Sequence, residues 1–580
     1  MTPLPSGPTA PSPDLPSLDE LAVRRAPTTQ VRTLVDEFLA EQAGTTAVDR
    51  FSRAHDEAAA CGVPGQARYY RDLMPATPPG PGQQYAFEVD LDACSGCKAC
   101  IVACGNLNGL PEAVSFRDTG TLVGTGPGTL GDGAELPVLR EVTSACHHCV
   151  EPGCLQGCPS EAYEKDPVTG VVHHLDDQCI GCQYCTLMCP YEVPKYDADR
   201  GIVRKCDLCQ DRLADGEAPA CVQACPTEAI SVRVVDVEEA VAAAGAPWGF
   251  PAPDPAITVP TTRYRGGEDL SGTRAADAEA LSPAHAHPPL TLMLVLTQLS
   301  VGTLLALLVA AAVPAAGLTA LAAAPVAATA LGTAVLALAA SVLHLGRPLQ
   351  AWRAVLGLRH SWLSREIVAF GVFAPAAAAY AGALAGMPVL DDHAGWLGPL
   401  AVASGLVGVF TSVMVYAATR RAWWSLPRVA ARFGLTTLLC GSATFLAVLA
   451  ATAAHAGIEA PATVGGFALI SSVLALAGLT AEVGLLRHRT GPIDDPLART
   501  ARLLTRRLRG LVVARLGLLF LGAVALPWLA VLMLTAGTTS ATAAATCAVA
   551  GMVAVVAAEL IERWRFFTAV APTRMPGRLP

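Results

Sequence analysis

The chain has 580 residues, of which 52% are hydrophobic and 15% charged, and its formal net charge is −9. That length points to several domains, and the acidic balance gives no basis for nucleic-acid binding. Nearly all of the 19 cysteines lie before residue 226, whereas apolar runs of membrane length begin near Leu290, so the two halves are built for different solvents.

Residues 1–28 are rich in Pro, Ser and Thr and are expected to be disordered. Positions 1–30 lack a charged start followed by an apolar core, and Arg24 and Arg25 precede Ala26 and Pro27 instead of a hydrophobic stretch. An unexported start is the expectation. From about 30 to 60 the spacing of Val31, Leu34, Val35, Phe38 and Leu39 predicts an amphipathic helix that packs on a neighbouring segment. Residues 1–84 are thus read as a disordered start with a helical extension, and Cys61 as a plain thiol.

Sixteen cysteines follow in four groups of four: Cys94, Cys97, Cys100, Cys104; Cys146, Cys149, Cys154, Cys158; Cys179, Cys182, Cys185, Cys189; and Cys206, Cys209, Cys221, Cys225. The first and third read C-x2-C-x2-C-x3-C, the spacing that wraps three thiolates round one [4Fe–4S] cluster and sends the fourth to a second. Zinc sites take their ligands mostly as separated pairs, which these compact runs do not resemble. Proline follows Cys158, Cys189 and Cys225. Four quartets imply four clusters in two pairs, a path for electrons. Alternating strands at Tyr85 to Asp90, Val171 to His174 and Glu228 to Val232 flank the cysteine loops. They predict an α+β double ferredoxin-like domain over 85–235 with an internal repeat.

Residues 236–288 carry many prolines and glycines and read as a linker or strap with little core. Over 289–580, apolar stretches of about 20 residues, the length of a spanning helix, recur near 290–313, 322–345, 366–386, 397–419, 433–455, 465–486, 511–534 and 541–562. An all-α bundle of eight transmembrane helices is expected. The loops on one side hold Arg347, Arg353, Arg359, Arg365, Arg420, Arg421, Arg428, Arg432 and the arginines of 487–509, while the opposite loops hold Asp391, Asp392 and Glu459 with no Lys or Arg. The positive-inside rule puts the basic side, and with it the cysteine domain, in the cytoplasm.

Ionisable groups at membrane depth are costly and usually functional. His344 closes the second span and Glu366 opens the third, both at the face that carries the cysteines. A histidine and a carboxylate there suit a quinone site, hydrogen-bonding a ring oxygen and exchanging its protons; a helix cap and a favourable helix N-terminal charge are the plainer alternative. Glu482, Arg515 and Glu559 lie deeper, as paired charges holding helices together or as a proton path. Only His344 and His455 stand near span ends, so no haem is expected. Cys440 and Cys547 read as small apolar fillers.

The quartets, with C-x2-C-x4-C-x3-C as the second and C-x2-C-x11-C-x3-C as the fourth, resemble the iron–sulfur subunit of dimethyl sulfoxide reductase-type molybdoenzymes. The membrane half resembles the anchor subunit of the same enzymes at His344-Leu345-Gly346-Arg347-Pro348 and Leu363-Ser364-Arg365-Glu366-Ile367, more weakly at Met414-Val415-Tyr416 and Glu559-Leu560-Ile561. Here the two are fused. The resemblance implies four ligand sets: Cys94, Cys97, Cys100, Cys225; Cys104, Cys206, Cys209, Cys221; Cys146, Cys149, Cys154, Cys189; and Cys158, Cys179, Cys182, Cys185, the last nearest the quinone. Cys182 is present where nitrate reductase relatives have tryptophan, which implies four [4Fe–4S] clusters. It also implies that His344 and Glu366 bind quinol, menaquinone being the expected quinone, and that molybdopterin sits on a separate catalytic subunit. The expected function is electron transfer and membrane anchoring in anaerobic respiration, in the cytoplasmic membrane. Alternatives are the same wire run in reverse in a cytoplasm-facing sulfite:quinone oxidoreductase, and an ion-translocating module of a polysulfide reductase-like complex.

Overall fold

The structure, a computed structural model, describes residues 33–43, 53, 56–57, 60 and 67–577, apart from 113, 130–134, 267–269, 313–316, 459–460 and 537–540. Cys61 lies outside the described residues. Residues 1–69 form a unit of their own. Within it, the helix Leu34–Ala43 starts at a reciprocal cap, where Asp36 N donates to Thr33 Oγ1 (3.2 Å) and Thr33 N to Asp36 Oδ2 (3.0 Å). Leu34, Val35, Phe38 and Leu39 are exposed, against the expectation that they pack on a neighbouring segment.

The described residues of the second unit form ten strands in chain order, beginning with β1 (Gln83–Asp90), β2 (Asp118–Thr129), β3 (Glu135–Ser144), β4 (Tyr163–Lys165) and β5 (Val172–His174). Then come β6 (Lys195–Asp197), β7 (Ile202–Arg204), β8 (Ile230–Asp236), β9 (Arg263–Arg265) and β10 (Arg274–Ala275). β1 pairs antiparallel with β8, from Gln83 opposite Asp236 to Val89 opposite Ile230. The strand entering the first quartet is therefore tied to the strand leaving the fourth, and Ala86, Phe87 and Val89 are buried along it.

Each quartet opens in an irregular loop and closes on a short helix: Ala99–Leu107, Gly153–Gly157, Tyr184–Met188 and Ala220–Gln223. The repeat is visible in the backbone. Gly96 and Gly181 have φ of 68° and 72°, and two residues later Lys98 and Gln183 have φ of 64° and 61°. Left-handed residues at matching positions turn both C-x2-C loops into their helices.

Two features depart from the sequence expectation. β2 and β3 form a long glycine-rich hairpin that no alternating pattern announced. The 236–288 segment has more core than a linker: β9 adds a parallel third strand to β1, β10 pairs with β2, and Phe250, Val259, Thr261 and Leu270 are buried. Val150 N donates to Val259 O (2.8 Å), tying this strap beside the second quartet.

Among the described residues, eight helices are long and apolar enough to cross a membrane: Pro288–Ala311, Gly317–Leu343, Trp362–Leu384, Asp391–Ala417, Leu426–Ala456, Pro461–Thr490, Arg509–Ala536 and Ala541–Thr568. The first and fifth are central, with 67% and 78% of their apolar windows buried, against 22% for the sixth. A Cβ on Gly302 would lie 1.9 Å from Thr437 O, so these two central helices touch backbone to backbone. The seventh is interrupted by a π turn at Leu521–Ala525, just before Pro527, whose missing N–H such a turn accommodates.

The cysteine module sits on the loops after the second and fourth spans. Arg347 N donates to Ile180 O (3.1 Å), Gly357 N to Pro159 O (2.8 Å) and Ser361 Oγ to Gly157 O (2.7 Å). A Cβ on Gly346 would lie 2.0 Å from Gly201 O, so glycine is required where the membrane loop meets the third quartet.

Candidate functional site

Among the described residues no three His, Cys, Asp or Glu side chains converge as ligands of a single ion. The thiols instead surround spaces. Cys146, Cys149, Cys154 and Cys189 line one small void together with Tyr191 and Lys205. Other thiols lie close enough to act on one another electrostatically. Cys94 feels Cys100 and Cys225; Cys104 feels Cys221 and Cys209; Cys206 feels Cys104 and Cys209; and Cys185 feels Cys182, Cys158 and Cys179. Cys97, on the first loop, is exposed.

The sets also have an order. Cys100 faces Cys221, and Cys206 faces Cys146. Buried Tyr163 stands among Cys185, Cys154 and Cys158. First, second, third and fourth sets are thus neighbours in series. Burial is the chief reason that the Cys104 thiol is pushed up to about 12. A bare thiolate is disfavoured there, and bound iron supplies the missing positive charge. Backbone N–H groups already point at sulfur, from Ala162 to Cys158 (3.2 Å), Gly181 to Cys179 (3.4 Å) and Ala229 to Cys225 (3.3 Å). All-thiol donor sets, enclosed space and N–H donors fit iron–sulfur clusters.

Two buried cations that sequence reasoning missed lie between the sets. Burial opposes the charge on Arg117, but Cys221, Cys100, Cys206 and Cys104 outweigh it and raise its pKa; its guanidinium also stacks on Phe87 at 4.6 Å. Lys205 is held in the same way by Cys146, Cys154 and Cys206, and its Nζ donates to Cys206 O (2.7 Å) and to Val172 O. Its only sequence signal was adjacency to Cys206.

Where the fourth set meets the membrane, a chamber of about 310 Å³ opens. Cys182 and Tyr184 form its wall on the cysteine side; His344, Glu366 and Tyr416 face it from the second, third and fourth spans or their ends. Leu290, Met293, Leu338, Leu363, Ile367 and Phe370 make most of the rest apolar. Glu366 is 4% exposed and accepts a hydrogen bond from Ser412 Oγ, which is fixed in turn by Gly408 O (3.0 Å). His344 Nδ1 is buried without a hydrogen-bond partner among the described residues. Burial, opposed by the Ser341 backbone, lowers the His344 pKa and keeps the imidazole neutral. Tyr184 OH donates to Val415 O (2.6 Å), pinning the cysteine helix to the end of the fourth span. Burial, with Glu366 and Cys182 nearby, raises the Tyr184 pKa and keeps the phenol protonated. The structure therefore brings His344 and Glu366 together, and adds Tyr184, Ser412 and Tyr416, of which only Tyr416 lay in a matching motif.

Glu482, Arg515 and Glu559 also come together, in a larger network. Arg515 donates to Glu482 and to Glu559 (3.1 Å), Arg565 to Glu482 (2.5 Å), Thr436 to Glu559 (2.5 Å) and Arg563 to Gln298 (2.9 Å). Arg432 and Glu562 complete it at 3.6 Å. Cys440 is buried and Cys547 half-buried, as fillers would be.

Thiol-lined sites in series and a membrane bundle fused beneath them define a membrane-anchored iron–sulfur electron-transfer protein. Residues 139–235 match the 4Fe-4S dicluster domain family and residues 284–569 the DMSO reductase anchor subunit (DmsC) family. The protein is similar to the B subunit of anaerobic dimethyl sulfoxide reductase from Haemophilus influenzae, 36% identical over 156 residues, covering 27% of this chain and 76% of the relative. It is 38% identical over 155 residues to the corresponding Escherichia coli K12 subunit, covering 26% and 75%. It is 34% identical over 160 residues to the iron-sulfur subunit of formate dehydrogenase-O of the same organism, covering 26% and 52%. The chain belongs to the dimethyl sulfoxide reductase iron–sulfur subunit family and carries that family's membrane anchor fused to it in one polypeptide.

Proposed function

We propose that this chain passes electrons between a membrane quinol and a separate molybdopterin catalytic subunit, through four [4Fe–4S] clusters held by the four cysteine sets given above. The observation that carries the reading is the chamber that Cys182 shares with His344 and Glu366. A quinone ring in that chamber lies against the fourth set, and its protons have two acceptors. Bound clusters supply one-electron carriers in series. The chain's own side chains do the rest. Neutral His344 presents an unpaired nitrogen to one ring oxygen. Glu366, oriented by Ser412, takes the proton from the other. The apolar walls exclude bulk water and hold the isoprenoid tail.

Arg347, Arg353 and Arg421 lie on the loops that hold the cysteine module, donating to Asp176 O, Asp177 O and Leu187 O. Arginine on that side supports a cytoplasmic location for the module. Protons and electrons then leave quinol on one face, and turnover itself moves no charge across the bilayer.

The test is stopped-flow reduction of the clusters by menaquinol in membranes. Wild-type clusters are expected to bleach with quinol, and Glu366→Gln and His344→Gln variants only with dithionite. Equal quinol rates in all three would remove the chamber from the reaction. Purification from membranes is expected to bring down a large molybdopterin subunit.

A further inference from the structure

Buried cations serve three of the four cysteine sets. Arg117 faces thiols of the first and second, and Lys205 faces thiols of the second and third. At the fourth set the side chain in the equivalent place is His174, against Cys179. His174 ends β5 opposite Tyr163 of β4, and the Tyr163 ring meets its imidazole edge-on at 5.0 Å. The His174 side chain is 4% exposed. Its Nδ1 lies 2.8 Å from Asp176 Oδ1. Its Nε2 is buried with no nitrogen or oxygen partner among the described residues, and the imidazole's other polar neighbour is the Cys179 thiol.

The membrane half fixes this arrangement. Arg347, three residues after His344, donates from Nη1 to Asp176 O (2.6 Å) and from its backbone N to Ile180 O (3.1 Å). The carboxylate and the cysteine are thus held at the two ends of one short loop. The acceptors on either side set the charge of the ring. A carboxylate oxygen and a cluster-bound sulfur both accept, so an imidazole between them carries N–H on both nitrogens. The Asp176 side chain is 54% exposed, and solvent screens its charge more than it screens the buried N–H. A cluster gains negative charge on reduction, and hydrogen bonds to its sulfurs favour that state.

We propose that His174, oriented by Asp176, donates Nε2–H to the Cys179 sulfur and raises the reduction potential of the fourth cluster, the one beside the quinone chamber. This rests on the ligand set given above for that cluster. His174 is a positioning residue: it acts through Cys179 and does not line the chamber.

The experiment is a redox titration followed by electron paramagnetic resonance, on the full-length chain with the subunits that copurify. Cys182→Ser, in the same set, identifies the signal of the fourth cluster. His174→Val is expected to lower the reduction constant of that cluster about tenfold, which is about 59 mV for one electron, and to leave the other three midpoints in place. His174→Gln keeps an N–H donor and is expected to recover part of the shift. With ¹⁵N-labelled histidine, the same signal is expected to carry a nitrogen coupling in the wild type that His174→Val loses, which a role in packing alone would not give. An unmoved midpoint in His174→Val, or equal shifts in all four signals, overturns the proposal. So does a wild-type signal without the coupling, a result that needs no variant to assemble. A Cys182→Ser protein with all four signals unchanged overturns instead the ligand set beneath it.

Discussion

The two polar chambers of the membrane half differ in how their charges are partnered. In the chamber under the fourth cysteine set, Glu366 has one hydroxyl donor and His344 Nδ1 has none among the described residues. In the chamber among the last four spans, each carboxylate meets at least one arginine. A buried group left short of partners is costly unless a ligand supplies them, whereas a buried ion pair mainly fixes the packing of the elements that carry it. On the proposed reading the first chamber exchanges protons, and the ion pairs of the second hold helices. The adjoining cysteine sets sharpen the contrast, because only the first chamber has a cysteine of the quartets in its wall.

That comparison is easiest to break with its two carboxylate–arginine extremes. Glu366→Gln should slow menaquinol oxidation by roughly 10²–10⁴-fold, the usual worth of a positioned acid–base group, with normal expression and cluster content by iron assay. Arg515→Ala should do the reverse. Leaving Glu482 and Glu559 without it costs about 3–5 kcal/mol, read as a fall in the amount of folded chain recovered from membranes and in its unfolding midpoint. An Arg515→Ala protein of wild-type stability would end the structural reading of that network.

Smaller effects test how the first chamber is coupled to the cysteines. Cys182→Ser should remove or alter one cluster signal in electron paramagnetic resonance and leave the signals of the other three sets. Ser412→Ala should slow quinol oxidation by roughly tenfold, the worth of one hydrogen bond to a charged group, with the cluster spectrum unchanged. His287 tests the membrane entrance. Burial, followed by His285 and His344, lowers its pKa to about 4. In the unfolded chain a histidine titrates at about 6.5, so its contribution to stability is complete above that pH. It is lost as pH falls toward 4, because the unfolded state binds the extra proton first. Thermal midpoints of His287→Gln should fall less steeply over that range than those of the wild type.

Much of this molecule is local in sequence and was legible there. Cysteine spacing fixes which thiols share a loop, because three residues within a seven-residue turn cannot point far apart. Spans are legible because a bilayer demands an unbroken apolar run of set length. The arginine loops follow the same logic. His344 and Glu366 stood out because ionisable groups are rare at hydrocarbon edges. Lys205, Arg117 and Ser412 gave no such signal, since one basic or hydroxyl residue looks like any other until its burial is known.

The 236–288 strap escaped for a related reason. Its proline content reads as linker, yet β9 needs only three residues to extend a sheet whose partner β1 lies more than 170 positions earlier.

By itself the sequence determined the four cysteine groups, the number of spans and the side on which the arginines lie, because each is set by spacing or composition within one short stretch. Only the tertiary structure decided that Cys182 and the His344–Glu366 pair face one chamber, and that seven charges from the fifth to eighth spans form one network. Those arrangements depend on how separate helices pack, through approaches as close as Gly302 on Gly441 and Gly346 on Gly201. Packing of that kind is a property of several surfaces at once, and no single stretch of chain encodes it.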